Sequence, residues 1–173
     1  MKGIKFIAAI WATFSILACK QKDQQNNKSS EATTNSELVV SAIFPKGEKG
    51  PAKCFTGNAY NYGLVPMDST YTTLVGNVYF EPGARSNWHT HPGGQILIIT
   101  AGKGYHQIEG EPIQVLHKGD VVKCPPNVRH WHGASPDEGM QQLYIVPNTE
   151  KGVIEWIEPV TDEDYGNLQN QQQ

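Results

Sequence analysis

The sequence has little of what marks several broad protein classes. Cysteine is scarce, with three residues in 173, so no dense disulfide framework can staple the fold. Neither sign of charge dominates, with 14 Lys and Arg against 17 Asp and Glu, and no basic stripe runs along the chain. Without clustered cations there is no footprint for a phosphate backbone, and nucleic acid is not an expected partner. Long helical periodicity is missing, and so is any internal repeat of solenoid length. The one extended apolar run, Phe6–Ala18 with Ser15 inside it, is too short to cross a bilayer as a mature helix.

That run has another use. Lys2 and Lys5 precede it, and it stops at Ile16-Leu17-Ala18-Cys19. A positive start and a short apolar core describe a secretory signal, and the closing Cys resembles a lipobox, where cleavage precedes a cysteine that is then lipidated. Residues 1–18 are therefore expected to be a lipoprotein signal peptide. An ordinary secretory signal or an uncleaved anchor would use the same run. Loss of residues 1–18 removes Lys2 and Lys5 and leaves 12 − 17 = −5. Residues 19–37 then comprise the lipidated Cys19 and a Gln-, Asn-, Ser- and Thr-rich stretch with almost nothing apolar to bury. Such a tether spans roughly 20–25 Å as a coil. The expected location is a bacterial membrane, reached through the lipid on Cys19, with the domain in the periplasm or at the cell surface. Residues 167–173 read as a frayed polar tail. Cys54 and Cys124 are compatible with one disulfide or with two unpaired buried thiols.

What is present in quantity is turn chemistry, with 17 Gly and 11 Pro. Between residues 38 and 166 these punctuate short β-prone runs. The expected strands are Val39–Ile43, Phe55–Tyr62, Thr72–Phe80, Ser86–His91, Gln95–Thr100, Gly104–Ile108, Ile113–Leu116, Asp120–Lys123, Arg129–Gly133 and Gln141–Val146. Breakers separate them, among them Pro92-Gly93-Gly94, Gly102 and Pro125-Pro126-Asn127. Strands at this spacing predict an all-β sandwich or barrel forming a single domain. One short helix is expected near Thr161–Asp164, with Thr161 as its N-cap.

Four of the six histidines fall in two His-x-His pairs, His89-Thr90-His91 and His130-Trp131-His132. Residues two apart on a strand share a face, so each pair can aim two imidazoles into one cavity while Trp88, Thr90 and Trp131 face away. Gln95 follows His91 across the Pro92-Gly93-Gly94 turn and can project from the next strand toward the same space. Clustered imidazoles of this kind suit a divalent metal. The same histidines packed beside Trp88 and Trp131 would also make a satisfied aromatic core.

Two longer patterns carry a family resemblance. Gly83, then His89-x-His91, Gln95 and Gly102 resemble the first cupin motif, with Gln95 where most cupins have Glu. Gly119, Pro125, Asn127 and His130 resemble the second, with Asn127 in place of its Gly. The resemblance implies a double-stranded β-helix, a jelly-roll barrel, with His89, His91, Gln95 and His130 as metal ligands. A narrower likeness covers Lys53 to Tyr165. Phe80-Glu81-Pro82-Gly83-Ala84-Arg85, Trp88-His89-Thr90-His91-Pro92 and His130-Trp131-His132-Gly133-Ala134 resemble small bacterial cupins that are manganese-dependent hydroxynitrile lyases. Those lyases carry a further active-site His on a late strand, where this chain has Gln142.

The resemblance implies Mn first among metals, with Fe, Ni, Co or Zn compatible with the same donors. A neutral Gln95 leaves the full charge of a divalent ion uncompensated, which favours bound anions and acidifies bound water. His132 shares a face with His130 and is the candidate acid/base or orienting group, or else a structural support. Gln142 and Val78 are expected to line the pocket. Arg85, just past a Pro-Gly turn, reads as a solvated residue or an anion contact, and His106 and His117 read as surface residues. Tyr60 and Tyr62 read as one packed strand face. The expected function is a metal-dependent enzyme on a small polar organic substrate, hydroxynitrile lyase-like. A metal-dependent dioxygenase and a tethered, non-catalytic ligand-binding or sensor cupin are the alternatives. Related small cupins often pair through sheet edges, so a homo-oligomer is expected by resemblance.

Overall fold

The computed structural model describes residues 43–167, all within a compact unit that spans residues 38–173. The signal-peptide, Cys19 and tether expectations lie outside the described residues, as do the strand from Val39 up to Ala42 and the tail beyond Asn167. Twelve strands follow in order: β1 Glu48–Lys49, β2 Phe55–Thr56, β3 Ala59–Val65, β4 Thr73–Phe80, β5 Arg85–Ser86, β6 His89–Thr90, β7 Gln95–Ile108, β8 Gln114–His117, β9 Val121–Cys124, β10 His130–Ala134, β11 Met140–Pro147 and β12 Glu155–Trp156. Helix α1, Asp162–Gly166, closes the described chain, and the Thr161 hydroxyl caps it by accepting the Asp164 N–H, as expected from the sequence.

All pairing is antiparallel. One sheet runs β1-β3-β4-β11-β7-β9, and the other joins β7 to β8 and β10, with β10 reaching β5 and β6. This is the curled double sheet of a jelly-roll barrel, and β7 belongs to both halves. Gly102 was expected to end a strand there. Instead β7 continues through it for 14 residues. A bulge at Thr100 shifts the register against β11, and Gly102 sits at φ 75° with no room for a Cβ against the Gly139 carbonyl. Bulge and glycine together bend one strand from the first sheet into the second.

Two apolar clusters hold the fold. Phe80, Leu97, Ile99, Leu116 and Met140 fill the space between the sheets. The second lies on the other side of β10, where Trp131 packs with Trp88, Tyr105, Ile113, Val160 and Tyr165 beneath the C-terminal segment. This explains why β10 is buried on both faces: its even-numbered imidazoles point inward and Trp131 points into the second cluster. Arg85 corrects the expectation of a solvated or ligand-contacting side chain. It is 4% exposed. Its guanidinium donates to the Val160 carbonyl at 2.9 Å and to Asp162 at 2.6 Å and stacks 4.5 Å from the Tyr165 ring, pinning the C-terminal cover. Tyr60 and Tyr62 do not form a packed face, since Tyr62 is 39% exposed. Cys54 and Cys124 are both buried free thiols.

Candidate metal centre

The site is assembled by two tight turns and two strands. Pro92-Gly93-Gly94 reverses the chain after His91, with the Gly94 N–H donating to the His91 carbonyl and φ 81° at Gly94, so Gln95 returns beside the histidines. On the second approach, Asn127 occupies the left-handed region at φ 60°, a conformation Asn tolerates, which accounts for Asn where the motif has Gly. Register then pairs His130 directly with His89 across β10 and β6.

The imidazoles converge inside the barrel. Ring centroids of His89 and His130 lie 4.3 Å apart, His89 and His91 5.2 Å, and His91 and His130 5.6 Å. Ligating nitrogens of His89, His130 and His132 lie within 4.8 Å of one another, a buried three-histidine group that could hold a metal ion. Hydrogen bonds sort these rings. Nδ1 of His89 meets the Asn87 carbonyl at 2.8 Å, Nδ1 of His130 meets the Val128 carbonyl at 2.9 Å, and Nδ1 of His91 meets the Val153 carbonyl. A carbonyl only accepts, so in each neutral ring the proton is at Nδ1 and the Nε2 lone pair faces the cavity. His132 differs. Its Nδ1 lies 2.9 Å from the Gln142 amide nitrogen, which donates to it, so its proton is carried at Nε2.

Burial keeps all four rings neutral. It pulls the pKa of His89 and His132 well below 6.5, lowers that of His130, and brings His91 down to about 4. Neutral imidazoles are the form that binds metal. Two further observations fit a cation here. Nε2 of His91 is buried with no partner among the described residues. Nε2 of His130 and Oε1 of Gln95 face each other at 3.2 Å; with the ring proton at Nδ1 these are two acceptors, an arrangement a cation satisfies. No carboxylate reaches this space from the residues lining the cavity.

The cavity between the sheets measures about 280 Å³, at the small end for ligand sites. Phe55, Leu74, Val78, Val146 and Trp156 give it apolar walls, and His89, His91, Gln95 and His132 line it as well. Val78 is thus where the sequence predicts it. Gln142 lies behind this lining, fully buried against His132. His106 corrects a sequence expectation, being 3% exposed rather than a surface residue. Its Nε2 contacts Cys124 Sγ at 3.3 Å, its ring packs 5.7 Å from His130, and burial lowers its pKa to about 4. Alternation from Gln95 through Leu97 and Ile99 would turn His106 outward; the extra residue of the bulge at Thr100 reverses the parity of β7, so the strand pattern alone gave no signal for its burial. His117 is on the surface. Trp156, on a two-residue strand with no periodic pattern, was not foreseen; its ring packs 5.1 Å from His89 and 5.6 Å from Phe55.

Comparison with known proteins agrees with this geometry. Residues 76–146 match the cupin domain family. The chain is 45% identical over 117 residues to a protein from Granulicella tundricola named (R)-mandelonitrile lyase, covering 68% of this chain and 89% of that one. A cupin-like protein from Thermotoga maritima superposes with a TM-score of 0.71 at 50% identity, over 73% of this chain and 96% of that one. A cupin-2 domain from Rhodospirillum rubrum shares the fold at a TM-score of 0.54 and 21% identity, over 72% and 79% of the two chains. With converging imidazoles between the sheets of a jelly roll, and relatives of this likeness, the chain belongs to the cupin superfamily.

Proposed function

We propose that this protein is a metal-dependent lyase of the hydroxynitrile type, holding a divalent ion, Mn first among candidates, through His89, His91, Gln95 and His130. The observation that carries the reading is the shared tautomer of the three histidines, each with Nδ1 tied to a main-chain carbonyl and Nε2 turned to the cavity. The relative named (R)-mandelonitrile lyase supports the reaction class. When bound, the metal supplies Lewis-acid polarisation of a substrate oxygen, undiminished by any anionic ligand from the protein.

The chain's own residues supply the rest. In cyanohydrin cleavage the bond from carbon to the nitrile breaks, cyanide leaves with the electron pair, and the hydroxyl proton passes to the departing cyanide, so an aldehyde and hydrogen cyanide form with no net gain or loss of protons. His132 holds a proton at Nε2, a buried atom without a partner among the described residues, and is the hydrogen-bond donor for the substrate. Gln142 fixes that tautomer. Phe55 and Trp156 form an aromatic wall that suits an aryl side chain and excludes water. Purified protein loaded with manganese is expected to release cyanide from mandelonitrile, and His89→Ala to abolish release together with metal content by mass spectrometry. Full metal occupancy with no cyanide release from aryl or alkyl cyanohydrins would defeat the lyase assignment.

The same proposal includes the lipid anchor at Cys19, with the barrel held off a bacterial membrane by residues 20–37, and self-association through sheet edges. Cys19→Ala is expected to move the protein from the membrane to the soluble fraction. Unchanged fractionation would defeat the anchor.

A further inference from the structure

The cavity has a second polar group that the proposed chemistry leaves unused. The metal-side residues His89 and His130 belong to β6 and β10 of the second sheet. Across the cavity, on the first sheet, lie Tyr144 of β11 and Asn61 of β3, both lining the same space. Between them passes Gly76 of β4, paired with Tyr144 on one side and Gly63 on the other. A Cβ at Gly76 would lie 2.2 Å from the Tyr144 hydroxyl, so the phenol rests flat over bare backbone and reaches toward β3 only because residue 76 has no side chain. Asn61 is exposed and Tyr144 half-buried, which sets this pair at the solvent side of the cavity.

We propose that the Tyr144 hydroxyl, with the Asn61 amide, forms a subsite that recognises a neutral oxygen acceptor on the substrate, at the end remote from the reacting carbonyl. This rests on the aldehyde-forming reading above and names the substrate class more narrowly. Burial raises the phenol's pKa while Asn61, as a hydrogen-bonding neighbour, pulls it back, so the hydroxyl stays protonated and able to donate at neutral pH. Neither Lys nor Arg is among the residues lining the cavity, so a carboxylate there would find no counter-charge, whereas a phenol or ether oxygen needs only a hydrogen-bond donor. The substrate class that fits is a compact arene with the cyanohydrin or aldehyde at one end and a hydroxyl or alkoxy group at the other.

The test uses 4-methoxybenzaldehyde and 4-ethylbenzaldehyde, which match in shape and differ in one acceptor oxygen. Dissociation constants are measured by ligand-observed NMR on the full chain loaded with zinc, so that no turnover is required. In Tyr144→Phe the ratio of the two constants is expected to move roughly two- to fivefold toward the ethyl compound, the range of one partly solvated hydrogen bond. Asn61→Ala, at an exposed position, is expected to shift it in the same direction by less. Gly76→Ala, which displaces the phenol, is expected to reproduce the Tyr144→Phe value. Should Tyr144→Phe fold poorly, the Asn61→Ala shift decides the matter. If both aldehydes bind the wild type and the ratio is the same in every variant, the subsite is wrong and the lyase reading stands. If neither aldehyde binds the wild type, the aldehyde reading fails and the subsite with it.

Discussion

The buried histidines divide into two groups by what holds them. His89, His91 and His130 are anchored through Nδ1 by main-chain carbonyls, whereas His132 and His106 are anchored by side chains, Gln142 and Cys124. A carbonyl cannot donate, so the first group has one neutral tautomer and a permanent lone pair at Nε2. An amide offers a donor at one end and an acceptor at the other, so its partner's tautomer depends on which end it presents. Although the nitrogens of His89, His130 and His132 lie close together, the hydrogen bonding separates two metal-ready rings from one that carries its proton inward. Proximity alone does not assign roles; the partner of the remote nitrogen does.

The sharpest way to break this comparison is to remove one ring from each group. His130→Ala is expected to abolish stoichiometric metal, measured by mass spectrometry, and with it the stabilisation of about 3 kcal/mol that saturating metal gives at a hundredfold excess over its Kd. His132→Ala is expected to keep the metal and lose activity. Equal metal loss in both would erase the distinction.

Acid is the next largest effect and acts on both groups together. Each ring has a folded pKa below its unfolded value of 6.5, so the unfolded chain takes up protons first. Stability of the metal-free protein is therefore complete above about pH 6.5 and falls as pH drops toward 4, by roughly 3 kcal/mol for His91 alone. Thermal melts across this window check the sign; a Tm that holds constant from pH 7 to 4 would contradict the burial of neutral rings.

The smallest effect sharpens the role of the amide. Gln142→Leu removes the donor to His132 Nδ1 while preserving much of the volume. Metal content is expected to stay the same and kcat to fall about tenfold, equivalent to 1.4 kcal/mol, with an altered pH profile. An unchanged profile would make Gln142 a packing residue.

Much of this architecture was legible because it is local. His-x-His on a strand, the Pro-Gly-Gly turn before Gln95 and the Thr161 cap depend on residues within a few positions of each other, and each appears where the pattern puts it. The misreadings came from distance. Gly102 looked like a terminator, yet the bend it permits is a feature of a strand shared by two sheets. His106 and Arg85 looked solvated because their burial comes from residues 18 and 75 positions away.

The sequence by itself determined the β-rich barrel, the inward face of both histidine pairs and the neutral amide among them, since period two and turn chemistry are properties of short segments. Tertiary structure decided which nitrogen carries the proton on His91 and His132, whereas His89 and His130 take their partner carbonyls from two residues back in the chain. His91 takes its partner carbonyl from Val153 and His132 takes its amide from another strand, and on these two rings the proton's position follows from those distant contacts.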